Sequence, residues 1–190
     1  MCSIPVLHNI KIRFTVNKAS LLKLTSGLLF LERLPLPPGT NPKKPPFKRV
    51  RNITTVRRSK YVYNIFESSG TINATGIRST EEITDCINII CFDCNLLKSD
   101  ISETIVDNLT ASGTYNKEID LKSVLRNINT IAQNKNQIDA CYGRNTYPGV
   151  FCAHHGLGTI IVYSNGKYSI VGAKCLEHIL RIYKTQLAHI

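Results

Sequence analysis

Tyr61-Val-Tyr-Asn-Ile-Phe-Glu-Ser-Ser-Gly70-Thr-Ile-Asn-Ala-Thr-Gly76-Ile-Arg78 has a counterpart near the end of the chain, Thr159-Ile-Ile-Val-Tyr-Ser-Asn-Gly166-Lys-Tyr-Ser-Ile-Val-Gly172-Ala-Lys174. Gly70 and Gly166 are 96 residues apart, and so are Gly76 and Gly172. Each stretch reads as an alternating strand, a tight turn ending in glycine and a second strand closed by glycine, so a β-hairpin is written twice. A period of about half of a 190-residue chain, used only twice, is not a solenoid of many short units. It predicts one fold made of two similar halves, residues 1–99 and 100–190, related by a pseudo-twofold duplication.

The flanking sequence extends the repeat. In the first half a strand from Val6 to Val16 precedes a helix starting near Asn17 or Lys18, with Leu21, Leu24 and Leu28 at helical spacing. A proline-rich break, Pro35 to Pro46, excludes a helix or a central strand. Strand-like runs follow at Phe47 to Val56, Lys60 to Phe66 and Thr71 to Ile77. Ser79-Thr-Glu-Glu82 has the form of a capping box for a helix with Ile83, Cys86, Ile87 and Ile90 on one face. The second half repeats the order. A strand from Thr104 to Tyr115 precedes a helix capped by Asp120, with Leu121, Val124, Leu125 and Ile128. Strands follow at Pro148 to Cys152, Thr159 to Tyr163 and Lys167 to Val171, and then a helix with Leu176, Ile179, Leu180, Tyr183 and Leu187. This is an α+β pattern in which helices cover one face of an antiparallel sheet and the other face meets water or a ligand.

Composition narrows the ligand. With 43% hydrophobic and 19% charged residues the chain reads as globular. No apolar run is long enough for a membrane span and no export signal opens the sequence, so an intracellular protein without membrane contact is expected. The glycosylation patterns at Asn52, Asn73 and Asn108 are then chance, and the seven cysteines read as reduced thiols. Cys91-Phe-Asp-Cys94 lacks a second ligand pair, so neither a metal nor another cofactor is expected. Few, unpaired carboxylates and the absence of a glycine-rich phosphate loop argue against an enzyme.

The formal net charge of +11 is uneven: residues 1–99 hold 15 Lys and Arg against 6 Asp and Glu, and the remainder 9 against 7. Lys43, Lys44, Lys48, Arg49, Arg51, Arg57, Arg58 and Lys60 fall in one stretch without an acidic residue. Such a stretch attracts phosphate, or stands as a solvated basic hairpin.

At this point the residues carry a resemblance. Phe66-Glu-Ser-Ser-Gly70 through Thr75-Gly-Ile-Arg78, and Tyr163 through Gly172-Ala-Lys174, are similar to the Phe-x-Ser-Gly-x-x-x-x-Thr-Gly-Ala-Lys signature of the TATA-box-binding protein family. Asn41-Pro-Lys-Lys-Pro-Pro-Phe47 resembles its Asn-Pro-Lys-Arg-Phe, and Tyr147-Pro-Gly-Val150 its Phe-Pro-Gly-Leu. His8-Asn9-Ile10 and Asp107-Asn108-Leu109 resemble the Gln-Asn-hydrophobic that opens each family repeat. The ordered set runs from about Val6 to Ile190.

The resemblance implies a saddle: a curved, ten-stranded antiparallel sheet whose concave side lies in the DNA minor groove, with four helices on the convex side. It implies a transcription initiation factor that binds and bends double-stranded promoter DNA and recruits initiation factors or polymerase subunits. Carried over by position, the wedges that enter base steps are Phe47 with Phe66 and Tyr147 with Tyr163. Asn9 and Asn108 fall at the groove centre, or serve as strand-start residues that bond nearby backbone. Lys11, Arg13, Asn64, Asn73, Thr75, Thr110, Pro148, Ile161, Ser169 and Val171 line the floor. Lys48, Arg49, Arg51, Arg57, Arg58, Lys60, Arg78, Lys167 and Lys174 meet phosphates. The resemblance leaves open a homodimer of the DNA-free protein.

Departures from the family modify these expectations. Lys11, Asn64, Asn73, Thr110 and Ser169 replace small apolar residues, and Val171 replaces a threonine, so phosphate contact should weigh more than apolar fit. A phenol pushed between bases needs a hydrogen-bond partner, so the tyrosine wedges should kink DNA less. Gly143-Arg-Asn-Thr146 stands where the family has acidic residues for a B-type factor, and Ile83 to Cys94 lacks the family's basic helix residues. The divergence and the Ile-, Asn- and Lys-rich composition suggest a large DNA virus or a parasite, with the protein in a host nucleus or a cytoplasmic viral factory. The rival reading is a saddle domain kept as a protein-interaction module.

Overall fold

The computed structural model describes residues 3–35, 45–135, 138–142 and 147–187. The first half contains β1 (Val6–Thr15), α1 (Leu21–Arg33), β2 (Phe47–Val50), β3 (Ile53–Arg58), β4 (Tyr61–Phe66), β5 (Thr71–Ile77) and α2 (Glu82–Asp93). Its strands lie side by side in the order β2-β3-β4-β5-β1. The second half contains β6 (Ile105–Thr114), α3 (Leu121–Lys135), β7 (Ile138–Cys141), β8 (Gly149–His154), β9 (Gly158–Tyr163), β10 (Lys167–Ala173) and α4 (Leu176–Leu187). Its strand order, β7-β8-β9-β10-β6, repeats that of the first half. The chain divides into two compact units, one spanning Asn9–Asp107 and the other joining the residues up to His8 to those from Asn108 onward.

Period-two alternation sorts each sheet into a buried and an open face. In the first half Ile10, Ile12, Phe14, Tyr63, Ile65, Ile72 and Ala74 are buried together with Leu24 and Leu28 of α1 and Cys86 and Ile90 of α2. The Tyr63 hydroxyl donates to the Cys86 carbonyl at 2.7 Å, which satisfies the one polar atom of a fully buried ring. In the second half Leu109, Ala111, Val150, Cys152, Ile160, Val162, Tyr168 and Ile170 are buried with Val124 and Ile128 of α3 and Ile179 and Ile182 of α4. Burial pushes the Cys94 and Cys152 thiols up to about 12.

The repeated glycines explain why the hairpins match. Gly70 and Gly166 have φ of 69° and 79°, and Gly76 and Gly172 have 89° and 83°. Side chains rarely adopt these values. A Cβ on Gly166 would also lie 2.1 Å from the Lys117 carbonyl oxygen. Beside Gly76 and Gly172 the ladder registers shift, between Ile10 and Ile12 and between Ile170 and Ala173, so each glycine sits at a bulge.

Four elements differ from the sequence reading. Ser79 does not cap α2: Glu81 is the N-cap without a side-chain bond, and Glu82 accepts the Arg78 N–H at 2.9 Å. The run from Phe47 to Val56 is not one strand: Arg51, at φ 54°, and Asn52 turn it into the β2–β3 hairpin. β7 is a four-residue strand, too short for its alternation to register. In α4 the buried stripe is Ile179, Ile182, Tyr183 and Gln186, whereas Leu176, Leu180 and Leu187 are exposed. Asp120 does cap α3, accepting from the Lys122 N–H at 3.0 Å and the Ser123 hydroxyl at 2.6 Å. Most of the proline-rich break (residues 36–44, with Lys43 and Lys44) and Gly143-Arg-Asn-Thr146 lie outside the described residues. Among the described residues no helix is long and apolar enough to cross a membrane.

Asp100 holds the connection after α2 to the start of α1. Its carboxylate accepts from the Ser20 hydroxyl at 2.6 Å, the Leu97 N–H at 2.8 Å and the Lys23 ammonium at 3.2 Å. These donors, Ser20 first, hold its pKa down at about 2. A depressed carboxylate stabilises the fold above its unfolded pKa near 3.9 and loses that contribution as pH falls toward 2. Asp100→Asn is therefore expected to lower the melting temperature at neutral pH and to flatten its fall between about pH 4 and 2. Circular-dichroism melts across that range check this, and equal slopes in both proteins would refute it.

Candidate nucleic-acid interface

The open face of the first half is ordered in rows by strand register. The first row runs Thr15, Thr71, Phe66, Ile53, Val50, with Ile53 38% and Val50 52% exposed. The second runs Arg13, Asn73, Asn64, Thr55, Lys48, in which the Thr55 hydroxyl donates to Asn64 Oδ1 at 2.9 Å. Thr75, Val62 and Arg57 form the third, and Lys11 and Asn9 follow along β1. The face thus has an apolar edge and a polar, cationic middle.

Asn9 is fixed from behind. Its Oδ1 accepts the Gly76 N–H at 2.9 Å, so the amide NH2 is the atom group left for a ligand. Asn108 repeats the arrangement in the second half, its Oδ1 accepting the Gly172 N–H at 2.6 Å while its NH2 lies 3.4 Å from the Thr110 hydroxyl. The two expected roles therefore coincide in one side chain: one end bonds bulge backbone and the other is a donor.

The second half's open face is less polar. Ser112, Ser169, Ile161, Phe151 and Cys141 occupy one row, and Val171, Thr159, Ala153 and Asp139 the next. Tyr147 packs on Phe151 with ring centroids 4.7 Å apart, and its hydroxyl lies 3.0 Å from that of Tyr163. Each phenol thus finds the partner it needs in the other. That bond, with desolvation, raises the Tyr163 pKa and keeps its hydroxyl neutral. Pro148 is exposed beside this cluster, and Thr110 is half-buried on β6.

Several expected contacts are placed elsewhere. Phe47 pairs with buried Val56, so its ring turns to the helix-bearing face and lines a cleft with Leu31 and Leu34 instead of joining Phe66. Arg49 pairs with buried Thr54 on that same face, and its guanidinium meets Glu67 at 3.0 Å and Glu32 at 3.4 Å. Arg58 is held by Asp93 of α2 through bonds of 2.7 and 3.1 Å. Lys60 is in a turn, 2.6 Å from Glu82, whose carboxylate raises the lysine pKa while the lysine lowers its own. These three cations are already bound to helix or turn carboxylates. Lys48 and Arg57 do project from the open face, Arg51 stands in the β2–β3 turn, and Arg78, Lys167 and Lys174 are exposed. Among the described residues no carboxylate pairs with Lys48, Arg51, Arg57, Arg78 or Lys167.

Val50, Ile53, Thr55, Phe151 and Asp107 were not singled out from the sequence. Alternation within β8 was the available signal for Phe151, since Val150 and Cys152 on either side are buried. Asp107, the last residue of the first unit, lies 3.6 Å from Lys11 and 3.4 Å from Arg13. No sequence signal joined it to residues almost a hundred positions away.

No protein-family model and no curated protein sequence matches the chain. A solved structure does: the Methanococcus jannaschii TBP is similar with a TM-score of 0.65 at 19% identity, over 97% of this chain and 95% of that one. The likeness shows the fold, the α+β architecture that the sequence resemblance implied.

Proposed function

We propose that this protein is a TATA-box-binding-like transcription initiation factor that binds promoter DNA in the minor groove and bends it. The observation that carries the reading is the duplicated Asn–Gly pair. On a fold of the TBP type, the Oδ1 atoms of Asn9 and Asn108 are each taken by a bulge glycine N–H, which leaves the NH2 as the end able to donate. Such donors suit the N3 and O2 acceptors of the minor-groove floor. Lys48, Arg57 and Lys167 would meet phosphates, a contribution that makes binding salt-dependent. Phe66 with Ile53 and Val50, and Tyr147 with Phe151 and Tyr163, are the apolar clusters suited to part base steps.

The helix-bearing side would recruit the polymerase and its factors. The same open faces would form the contact in a DNA-free homodimer. A host nucleus or a cytoplasmic viral factory is where we place this activity, on composition alone.

A second reading has its own observation. Leu22, Phe30 and Phe92 are 81%, 63% and 86% exposed near one groove between α1 and the end of α2, as on a surface kept for a protein partner. The readings separate in an anisotropy titration against TATA-containing and scrambled duplexes carrying a bend-sensitive label pair, at two salt concentrations. A bent complex that prefers one duplex and weakens steeply with salt is expected. Absence of binding would leave the interaction module.

A further inference from the structure

The middle row of the first half's open face contains an acceptor with no donor. Asn73 stands between Arg13 on β1 and Asn64 on β4. Its Oδ1 is shut off from solvent and has no hydrogen-bond partner, a costly state for an amide oxygen. The neighbouring cation is engaged elsewhere, since the Arg13 guanidinium is drawn to Asp107 at 3.4 Å. The first half's open face therefore carries an unspent acceptor beside its donors.

The minor groove makes that combination informative. Its floor presents acceptors at every base pair, and the single donor on it is the N2 amino group of guanine. An apolar floor leaves that amino group unpaired and so disfavours G·C. We propose that the first half's open face reads a G·C pair, with Asn73 Oδ1 accepting from the guanine N2 amino group. The proposal rests on the DNA-binding reading above. The terminal torsion of Asn is broad, so the amide can turn its oxygen to a donor without leaving a rotamer well. The matching row of the second half, Ser112, Ser169 and Ile161, holds neither an amide nor a carboxylate, which confines the effect to the first half.

Duplexes that differ only in the minor-groove amino group test this. Each G·C of a bound site is replaced in turn by inosine·C, and each A·T by 2,6-diaminopurine·T. At one position the wild-type protein is expected to bind about tenfold more tightly with the amino group than without it, the size of one good base contact. Asn73→Val should bring the ratio to one. Asn73→Asp, which keeps the acceptor, should preserve it. A wild-type complex blind to the amino group at every position, or a preference that survives in Asn73→Val, overturns the inference alone. Failure of the wild-type protein to bind any duplex overturns the DNA-binding reading, and this inference with it.

Discussion

Phe66→Ala should abolish most of the DNA bend and weaken binding by roughly tenfold to a hundredfold, whereas Phe47→Ala should leave the bend intact. Truncating an aromatic that stacks on a base costs about 1–3 kcal/mol, and each 1.4 kcal/mol is about tenfold. Phe66 is half-buried on the open face, with Ile53 beside it in register and Val50 beyond. Removing the ring leaves only aliphatic groups to hold a parted base step, and Ile53→Ala should have a smaller effect of the same kind. Phe47 lies on the opposite face, so its truncation should appear as lost stability, a part of the ~3–5 kcal/mol of a fully buried Phe→Ala change. Energy transfer between dyes at the two ends of a duplex reports the bend, and thermal melts report the fold. A bend that persists in Phe66→Ala and vanishes in Phe47→Ala would reverse the assignment of faces.

Asn9→Asp and Asn108→Asp should each reduce DNA affinity by about a hundredfold while leaving the melting temperature almost unchanged. An aspartate keeps an oxygen to accept the Gly76 or Gly172 N–H, so the bulge stays bonded. In place of the NH2 it sets a second oxygen against the groove's own acceptors. Loss of a base contact worth about 1–3 kcal/mol is compounded by a negative charge in a cleft of phosphates. Alanine is the poorer probe. It would orphan the glycine N–H, costing about 1–3 kcal/mol of stability and confusing folding with binding. Wild-type affinity in both aspartate variants would sink the role given to these amides.

The repeat was legible because its signals are local. Glycines at positive φ and period-two alternation act within a few residues, and both recur at a fixed offset. The face of Phe47 was not legible. It depends on the register of β2 against β3, which a turn of Arg51 and Asn52 sets without the usual glycine, so the motif resembling Asn-Pro-Lys-Arg-Phe pointed to the wrong side. The basic stretch misled for a related reason. Arg58 and Lys60 find their carboxylates on α2, 35 and 22 positions further on, and only the packed chain brings those together. The amide ends of Asn9 and Asn108 were half-legible: their place at the start of each repeat was visible, but not the glycine N–H that orients them.

On the proposed DNA-binding reading, the contrast between the polar row Arg13, Asn73, Asn64, Thr55, Lys48 and its counterpart Ser112, Ser169, Ile161, Phe151, Cys141 would bear on direction. Two identical readers in one chain would settle on a duplex equally well in either sense. Two unlike readers would not, because turning the protein around exchanges a cationic, amide-rich surface for a tyrosine-edged aliphatic one. A promoter factor so built would carry an arrow, and the strand copied downstream of it would be chosen by which half of the site each half of the chain prefers.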